Sequence, residues 1–101
     1  MAHVEVIRFK AQPGKRQNVI DMFNRWDRER KGKAKGFERS ALVSKLDDPD
    51  EFCVVVRFDT TENYKANSDD PETSRWYRTL RENLVADPEW FGGKLEVASE
   101  A

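Results

Sequence analysis

The sequence predicts an α+β fold with one antiparallel sheet that is covered on both faces. Within Phe52–Phe58 only Arg57 is not apolar. A strand that packs on one side alternates apolar with polar residues, so this stretch requires a separate partner on each face. The patterns along the chain follow the order strand, helix, strand, strand, helix, strand. That order is typical of the ferredoxin-like plan, with the helices on one side of the sheet.

The first half of the chain contains a strand, a helix and a hairpin. Residues 4–10 predict a strand with Val4 and Val6 on one face and Ile7 and Phe9 on the other. Pro13 suits the first position of a helix that runs to Arg30, because its missing N–H has no partner to lose there. A second strand is expected over residues 36–46, and residues 47–50 turn the chain back into the central strand. In this second strand one face carries Phe37, Ala41 and Val43, and the other carries Leu42 and Leu46.

The second half predicts two helices and a short last strand. Asp59 with Glu62 three residues later is typical of a helix start, and a short helix follows over residues 60–67. Asp70 is the expected cap of a longer helix over residues 71–85, with Pro71 at its first position. Trp90 and Phe91 are expected to seal the end of the fold. The last strand is expected over residues 94–98, with Leu95 and Val97 facing inward.

Composition limits the classes of function. The 101 residues predict one domain over residues 1–101, and 18 basic against 19 acidic side chains give a net charge of −1. This balance argues against a nucleic-acid-binding domain, which normally shows a basic excess on one face. No segment approaches the length of a membrane span and no signal peptide is visible, so a soluble, cytoplasmic protein is expected.

Three local features have plain structural interpretations. The single Cys53 excludes an internal disulfide and is expected to be a small buried hydrophobe. The acidic residues 47–50 predict a solvated turn rather than a metal site. The cations of residues 28–35 complement the negative end of the helix dipole, although binding of an anion there is an alternative.

The predicted sheet also implies a partner. If the helices cover one face, the apolar residues of the other face would meet water in a monomer. Two such sheets packed face to face would cover these residues, so the sequence predicts a homodimer.

Motifs spread over nearly the whole chain resemble the antibiotic biosynthesis monooxygenase domain of the dimeric α+β barrel superfamily. The resemblance implies a cavity between sheet and helices that binds a small molecule. It also implies a monooxygenase without metal, flavin or other cofactor, which deprotonates an electron-rich phenol or quinol whose anion then reduces oxygen. The motifs are Pro13-Gly14-Lys15, Gly36-Phe37, Asp48-Pro49-Asp50-Glu51-Phe52 and the junction from Val56-Arg57-Phe58 to Tyr64-Lys65-Ala66.

The resemblance also implies site residues. Arg57, Tyr64, Trp76 and Tyr77 are the expected catalytic residues, because tyrosine and arginine stabilise an oxyanion and an indole wall excludes water. Asn67 and Phe58 are expected to contact the substrate, although many relatives have histidine and tryptophan at these places. The haem-degrading members use an asparagine on the first strand, which this chain lacks, so haem turnover is not expected.

Several of these residues also have a structural interpretation, as do Trp26 and His3. Trp76 and Tyr77 fall at core spacing on the long helix, and Trp26 does so on the first helix. Arg57 is expected either to reach a carboxylate or to line a pocket. His3 is expected on the surface, with a role as base the lesser alternative. A small-molecule-binding or stress-related dimer of the same fold, without catalysis, is therefore the alternative function.

Overall fold

One four-stranded antiparallel sheet carries three α-helices in the computed structural model, which describes residues 1–101. The strand order β2-β3-β1-β4 places the first and third strands at the centre and confirms the ferredoxin-like prediction. The elements are β1 His3–Lys10, α1 Arg16–Glu29, β2 Phe37–Lys45, β3 Asp48–Phe58, α2 Thr61–Asp69, α3 Pro71–Glu82 and β4 Glu89–Lys94.

The core lies between the helices and one end of the two central strands. Strand β1 pairs with β3 so that Phe9 stands opposite Phe52, and the two rings stack with centroids 5.8 Å apart. Helices α1 and α3 cover this pair, and burying each such side chain contributes roughly 1.5–3 kcal/mol. The buried cluster consists of Phe9, Ala11, Val19, Met22, Phe52, Val54, Leu80 and Leu84.

The opposite face of the sheet, here called the open face, has no helix on it. A row of apolar residues crosses all four strands there, because Val55 pairs with both Ala41 and Val6, and Val6 pairs with Phe91. Val55 and Phe91 are 40% and 72% exposed. Ion pairs flank the row, among them Arg8 with Glu51 and Lys10 with Asp48.

Two predicted helix starts shift by a few residues. Pro13 and Gly14 form a turn closed by the hydrogen bond from the Lys15 N–H to the Gln12 carbonyl, and Gly14 has φ +79°. A positive φ after proline is typical of a type II turn, so the helix begins only at Arg16. The cap of α2 is Thr60 rather than Asp59, since the Thr60 hydroxyl accepts from the Asn63 N–H. Asp70 caps α3 as predicted.

The faces of β2 differ from the prediction because of a bulge. The register with β3 shifts between Phe37 and Arg39, so Phe37 lies on the helix side, where it contacts Trp26 and Phe58, while Ala41 lies on the open face. The hairpin turn is tighter than predicted, because Lys45 already pairs with Asp48. Leu46, expected on a strand face, is therefore fully exposed in the turn.

The chain beyond α3 differs most from the prediction. The helix ends at Glu82 rather than Val85, because residues 83–85 hydrogen-bond with residues 10–12 beside β1. The last strand is Glu89–Lys94, not residues 94–98, and Val97 is exposed. Trp90 and Phe91 are strand residues, so their side chains point to opposite faces of the sheet. None of the helices is both long and apolar enough to cross a membrane.

Candidate functional site

A cavity of about 370 Å³ lies between the helices and the part of the sheet that the core leaves uncovered. Its floor is the helix side of β1 and β3, and its walls come from all three helices and β4. Most of the lining is apolar, and most of the large side chains are aromatic. The aromatic lining residues are Phe9, Phe23, Trp26, Phe37, Phe58, Tyr64, Trp76, Tyr77 and Trp90.

The aromatic wall is held in place by specific contacts. The Trp76 indole N–H donates to the Met22 carbonyl oxygen over 3.1 Å, which ties α3 to α1. The Trp76 ring meets Phe23 edge to face at 5.0 Å, and Tyr77 packs against Trp90 at 5.8 Å. Such aromatic pairs contribute about 0.5–1.5 kcal/mol beyond area burial. The cavity walls are therefore ordered before any ligand arrives.

Polar groups from α2 and α3 enter this apolar cavity. Asn67 and Ser68 come from the last turns of α2, and Arg78 comes from α3. The Asn67 side-chain oxygen accepts from the Thr73 hydroxyl over 3.5 Å, which leaves its amide N–H groups available. A few convergent polar groups in an apolar cavity are typical of small-molecule sites.

Tyr64 stands at the boundary between the cavity and a buried polar group. Its ring stacks on His3 at 4.3 Å and meets Phe58 edge to face at 5.7 Å. Burial raises the pKa of the Tyr64 phenol; the nearby Ser68 side chain lowers this pKa, and the negative charge of Glu5 raises it further. Tyr64 is therefore an un-ionised hydroxyl, able to donate one proton and accept another.

His3 and Glu5 form a buried pair beneath Tyr64. They are 8% and 6% exposed, and the His3 Nε2 lies 2.8 Å from the Glu5 Oε1. The other ring nitrogen, Nδ1, lies 3.0 Å from the Thr61 hydroxyl of α2. The prediction of His3 as a surface residue is therefore wrong, because α2 covers this end of β1.

Five of the six residues that the resemblance singles out line one cavity: Phe58, Tyr64, Asn67, Trp76 and Tyr77. Arg57 does not. It alternates with Val56 and Phe58, which both face the cavity, so its side chain lies on the open face, where its Nε donates to Glu38 over 2.7 Å. Of the two expectations for Arg57, the structure shows the first, contact with a carboxylate, and this carboxylate belongs to the same chain.

Several site residues escape the sequence patterns. Trp26 and Trp90 line the cavity, although their spacing suggested core and plug, and Arg78 lines it although its helix position suggested a solvated face. Helical spacing tells which face turns inward but not whether that face meets packed atoms or open space. The sequence contains one indication of the buried pair, since His3 and Glu5 are two residues apart in a strand and so share a face.

No group of three or more His, Cys, Asp or Glu side chains is placed to hold a metal ion. The chemistry that the cavity offers through its own side chains is oriented hydrogen bonding from Tyr64, Asn67 and Arg78 within aromatic walls.

Solved structures share this fold over nearly their whole length. A conserved protein from Methanosarcina mazei Go1 has a TM-score of 0.85 at 14% identity, covering 95% of this chain and 94% of its own. The N63A mutant of SnoaB, a cofactor-independent oxygenase from Streptomyces nogalater, has a TM-score of 0.84 at 15% identity, covering 96% and 95%. Rv0793 from Mycobacterium tuberculosis has a TM-score of 0.81 at 16% identity, covering 98% and 100%. No curated protein matches the chain.

The sheet order, the helices on one face and the aromatic cavity between them define a ferredoxin-like α+β protein with a ligand-sized cavity. Residues 2–79 match the family described as antibiotic biosynthesis monooxygenase. The chain belongs to this family, as its motifs predicted.

Replacing Gly92 tests the close approach of β4 to the buried pair. A Cβ on Gly92 would lie 2.6 Å from the Glu5 Oε1, and Glu5 cannot easily move because His3 holds this oxygen. We expect Gly92→Ala to lower the free energy of unfolding by about 1–3 kcal/mol in urea titrations. The control is Gly93→Ala, whose new Cβ would lie 3.8 Å from the Phe91 ring. Equal stability of the two variants would contradict a fixed Glu5 carboxylate.

Alkaline titration tests the environment of Tyr64. The pKa of Tyr64 is raised above 10.0 in the folded protein, so the stability that its un-ionised phenol contributes is complete below pH 10.0. It is lost as the pH rises through the raised value, since the unfolded chain releases the proton first. Urea unfolding at several alkaline pH values should show a shallower loss of stability for Tyr64→Phe than for the wild type. The control is Tyr77→Phe, which keeps Tyr64 and should lose stability as steeply as the wild type. If Tyr64→Phe also loses stability as steeply as the wild type, the pKa of Tyr64 is not raised.

Proposed function

We propose that the protein is a cofactor-independent monooxygenase-like enzyme that acts on a small aromatic or quinol-type molecule. The observation that carries this proposal is the cavity of about 370 Å³, whose aromatic walls enclose the phenol of Tyr64 and the amide of Asn67. This volume lies within the range of roughly 300–1,000 Å³ that small-molecule sites occupy. Flat aromatic walls favour a flat aromatic ligand.

The cavity suits a reaction through a ligand anion. Indole and phenyl walls exclude water and so strengthen any charge interaction inside the cavity. Arg78, Asn67 and Tyr64 come from two adjacent helices and offer donors to a developing phenolate oxygen. An electron-rich anion held there reacts with oxygen by giving up an electron. SnoaB, a cofactor-independent oxygenase, has the same fold, which supports this class of reaction.

A second candidate function is binding of such a molecule without catalysis. The observation in its favour is the cavity lining itself, which contains no carboxylate and no imidazole. A phenol that is un-ionised, an amide and a guanidinium bind a ligand well, but none of them removes a proton efficiently at neutral pH.

The proposal includes a homodimer formed through the open face. The apolar row from Ala41 through Val55 and Val6 to Phe91 crosses the whole sheet, and a monomer would leave it in contact with water. Charged pairs at one end of the two central strands give this surface part of the polar rim that interfaces have. A second copy presents the same row, so the surface is self-complementary.

Oxygen uptake with anthrones and quinols tests the proposed reaction. For an anthrone, one O₂ is consumed, one oxygen atom forms the new carbonyl and the other leaves as water. We expect the purified protein, with no cofactor added, to consume one O₂ per anthrone oxidised, measured with an oxygen electrode. Arg78→Gln should lower the rate about tenfold, less than loss of a buried donor would, because Arg78 is exposed.

The matched control is Arg75→Gln, an exposed position on the same helix outside the cavity lining, which should leave the rate unchanged. Binding of the anthrones, seen as quenching of tryptophan fluorescence, without oxygen uptake would reject the enzyme and favour the second candidate. Absence of binding would reject both.

Light scattering tests the dimer. The wild type should have twice the mass of one chain at micromolar concentration, and Val55→Lys should have the mass of a monomer, because it places a cation at the centre of the apolar row. Thr79→Lys, an exposed change on α3, should remain a dimer. A monomeric wild type would refute this part of the proposal.

A further inference from the structure

The buried pair of His3 and Glu5 does not line the cavity, although it lies beneath Tyr64, which does. These are buried polar side chains in a chain whose other buried positions are mostly apolar. Burying a carboxylate costs free energy unless it is paired and hydrogen-bonded. His3 provides that hydrogen bond, and a buried carboxylate so held beside a ligand cavity is a candidate for a role in the chemistry of that cavity.

The hydrogen bonds of His3 fix the acceptor in this pair. As a carboxylate, Glu5 offers only acceptors, so in this state of the pair Nε2, 2.8 Å from the Glu5 Oε1, carries a hydrogen and donates it. Nδ1 is engaged with the Thr61 hydroxyl on its other side. His3 therefore holds the carboxylate from one side and is itself held by α2, while no other side chain hydrogen-bonds to the second oxygen, Oε2.

Tyr64 connects this pair with the cavity. Its ring stacks on the His3 imidazole at 4.3 Å with an interplanar angle of 17°, and both Tyr64 and its neighbour Ser68 line the cavity. The stacked Tyr64 ring therefore lies between the cavity and the imidazole that holds Glu5. Burial raises the pKa of the Tyr64 phenol, and the negative charge of Glu5 raises it further, as expected for neighbouring groups. Ile7 and Val56, which flank Glu5 on the sheet, also line the cavity.

We propose that Glu5 is the proton acceptor for an acidic aromatic ligand in the cavity, that the Tyr64 hydroxyl carries the proton between them, and that His3 is a positioning residue for Glu5. The inference deepens the proposed function and takes from it only the ligand class. It does not depend on the oxygen chemistry.

The transfer balances without a further reactant. The O–H or activated C–H bond of the ligand breaks, and its proton goes to the Tyr64 oxygen while the Tyr64 hydroxyl proton goes to the Glu5 Oε2. Tyr64 ends as it began, Glu5 ends as a carboxylic acid, and the electron pair stays on the ligand as a delocalised phenolate. Oε1 continues to accept the hydrogen bond from His3.

Deuterium exchange without oxygen isolates this step. The probe is anthrone, whose methylene protons exchange with solvent only through the anion. In D₂O buffer under argon, we expect the wild type to accelerate exchange of the anthrone methylene, followed by proton NMR. Glu5→Gln and Tyr64→Phe should each slow this exchange about 100-fold, within the range of general-base catalysis, and the double variant should be no slower. Anthrone affinity, from tryptophan fluorescence, should change less than about threefold.

Two further variants separate proton transfer from structural damage. Glu62→Gln removes an exposed carboxylate on the helix that carries Tyr64, and exchange should match the wild type. His3→Gln keeps a donor toward Glu5 and should retain most of the exchange rate. Tyr64→Phe removes one hydroxyl from a half-buried ring and carries the test if Glu5→Gln does not fold.

The outcomes distinguish this inference from the proposed function. Wild-type exchange without oxygen uptake would uphold the proton acceptor and reject the monooxygenase. Oxygen uptake with unchanged exchange in Glu5→Gln and Tyr64→Phe would overturn the inference and leave the proposed function standing. Bound anthrone that the wild type does not exchange would also overturn the inference, and so would failure of anthrone to bind.

Discussion

The antiparallel pairing of β1 with β3 is the constraint on which this structure depends. Both strands are apolar on both faces, so their register fixes what each side of the sheet offers to its surroundings. Phe9 opposite Phe52 creates the centre of the packed core, and Val6 opposite Val55 creates the centre of the open face. A slip of one residue would exchange these two surfaces. The core, the cavity and the apolar row are thus consequences of one register.

The two ends of the sheet are closed in different ways, and the cavity lies between them. At one end, residues 83–85 pair with residues 10–12 and hold the end of α3 against β1. At the other end, α2 covers His3 through Thr61 and Tyr64. Large rings between these ends meet their neighbours edge to face, Trp26 against Phe37 and Trp76 against Phe23, and all four rings line the cavity.

Local patterns predicted the fold because apolar periodicity reports which faces turn inward. The strands β1, β2 and β3 and all three helices follow from it within a few residues. The pattern failed where a contact distant in sequence decides the outcome. Gly92 and Gly93 suggest a break, yet they lie inside β4, and Gly92 leaves space for the Glu5 carboxylate. The bulge in β2 likewise moves Phe37 to the other face without any signal in the spacing.

The same distinction applies to the site. Tyr64, Asn67, Trp76 and Tyr77 were found through motifs and helix position, whereas the burial of His3 depends on Thr61, which lies 58 residues away in the chain. A buried polar pair of this kind is weak evidence for stability, since well-packed apolar residues of similar volume often serve as well or better. Stability alone therefore does not account for this pair. It lies between Gly92, which leaves space for the Glu5 carboxylate, and Tyr64, which stacks on His3 and lines the cavity. A carboxylate held in place behind a tyrosine of the cavity wall is the kind of group that proton abstraction from a bound aromatic molecule requires.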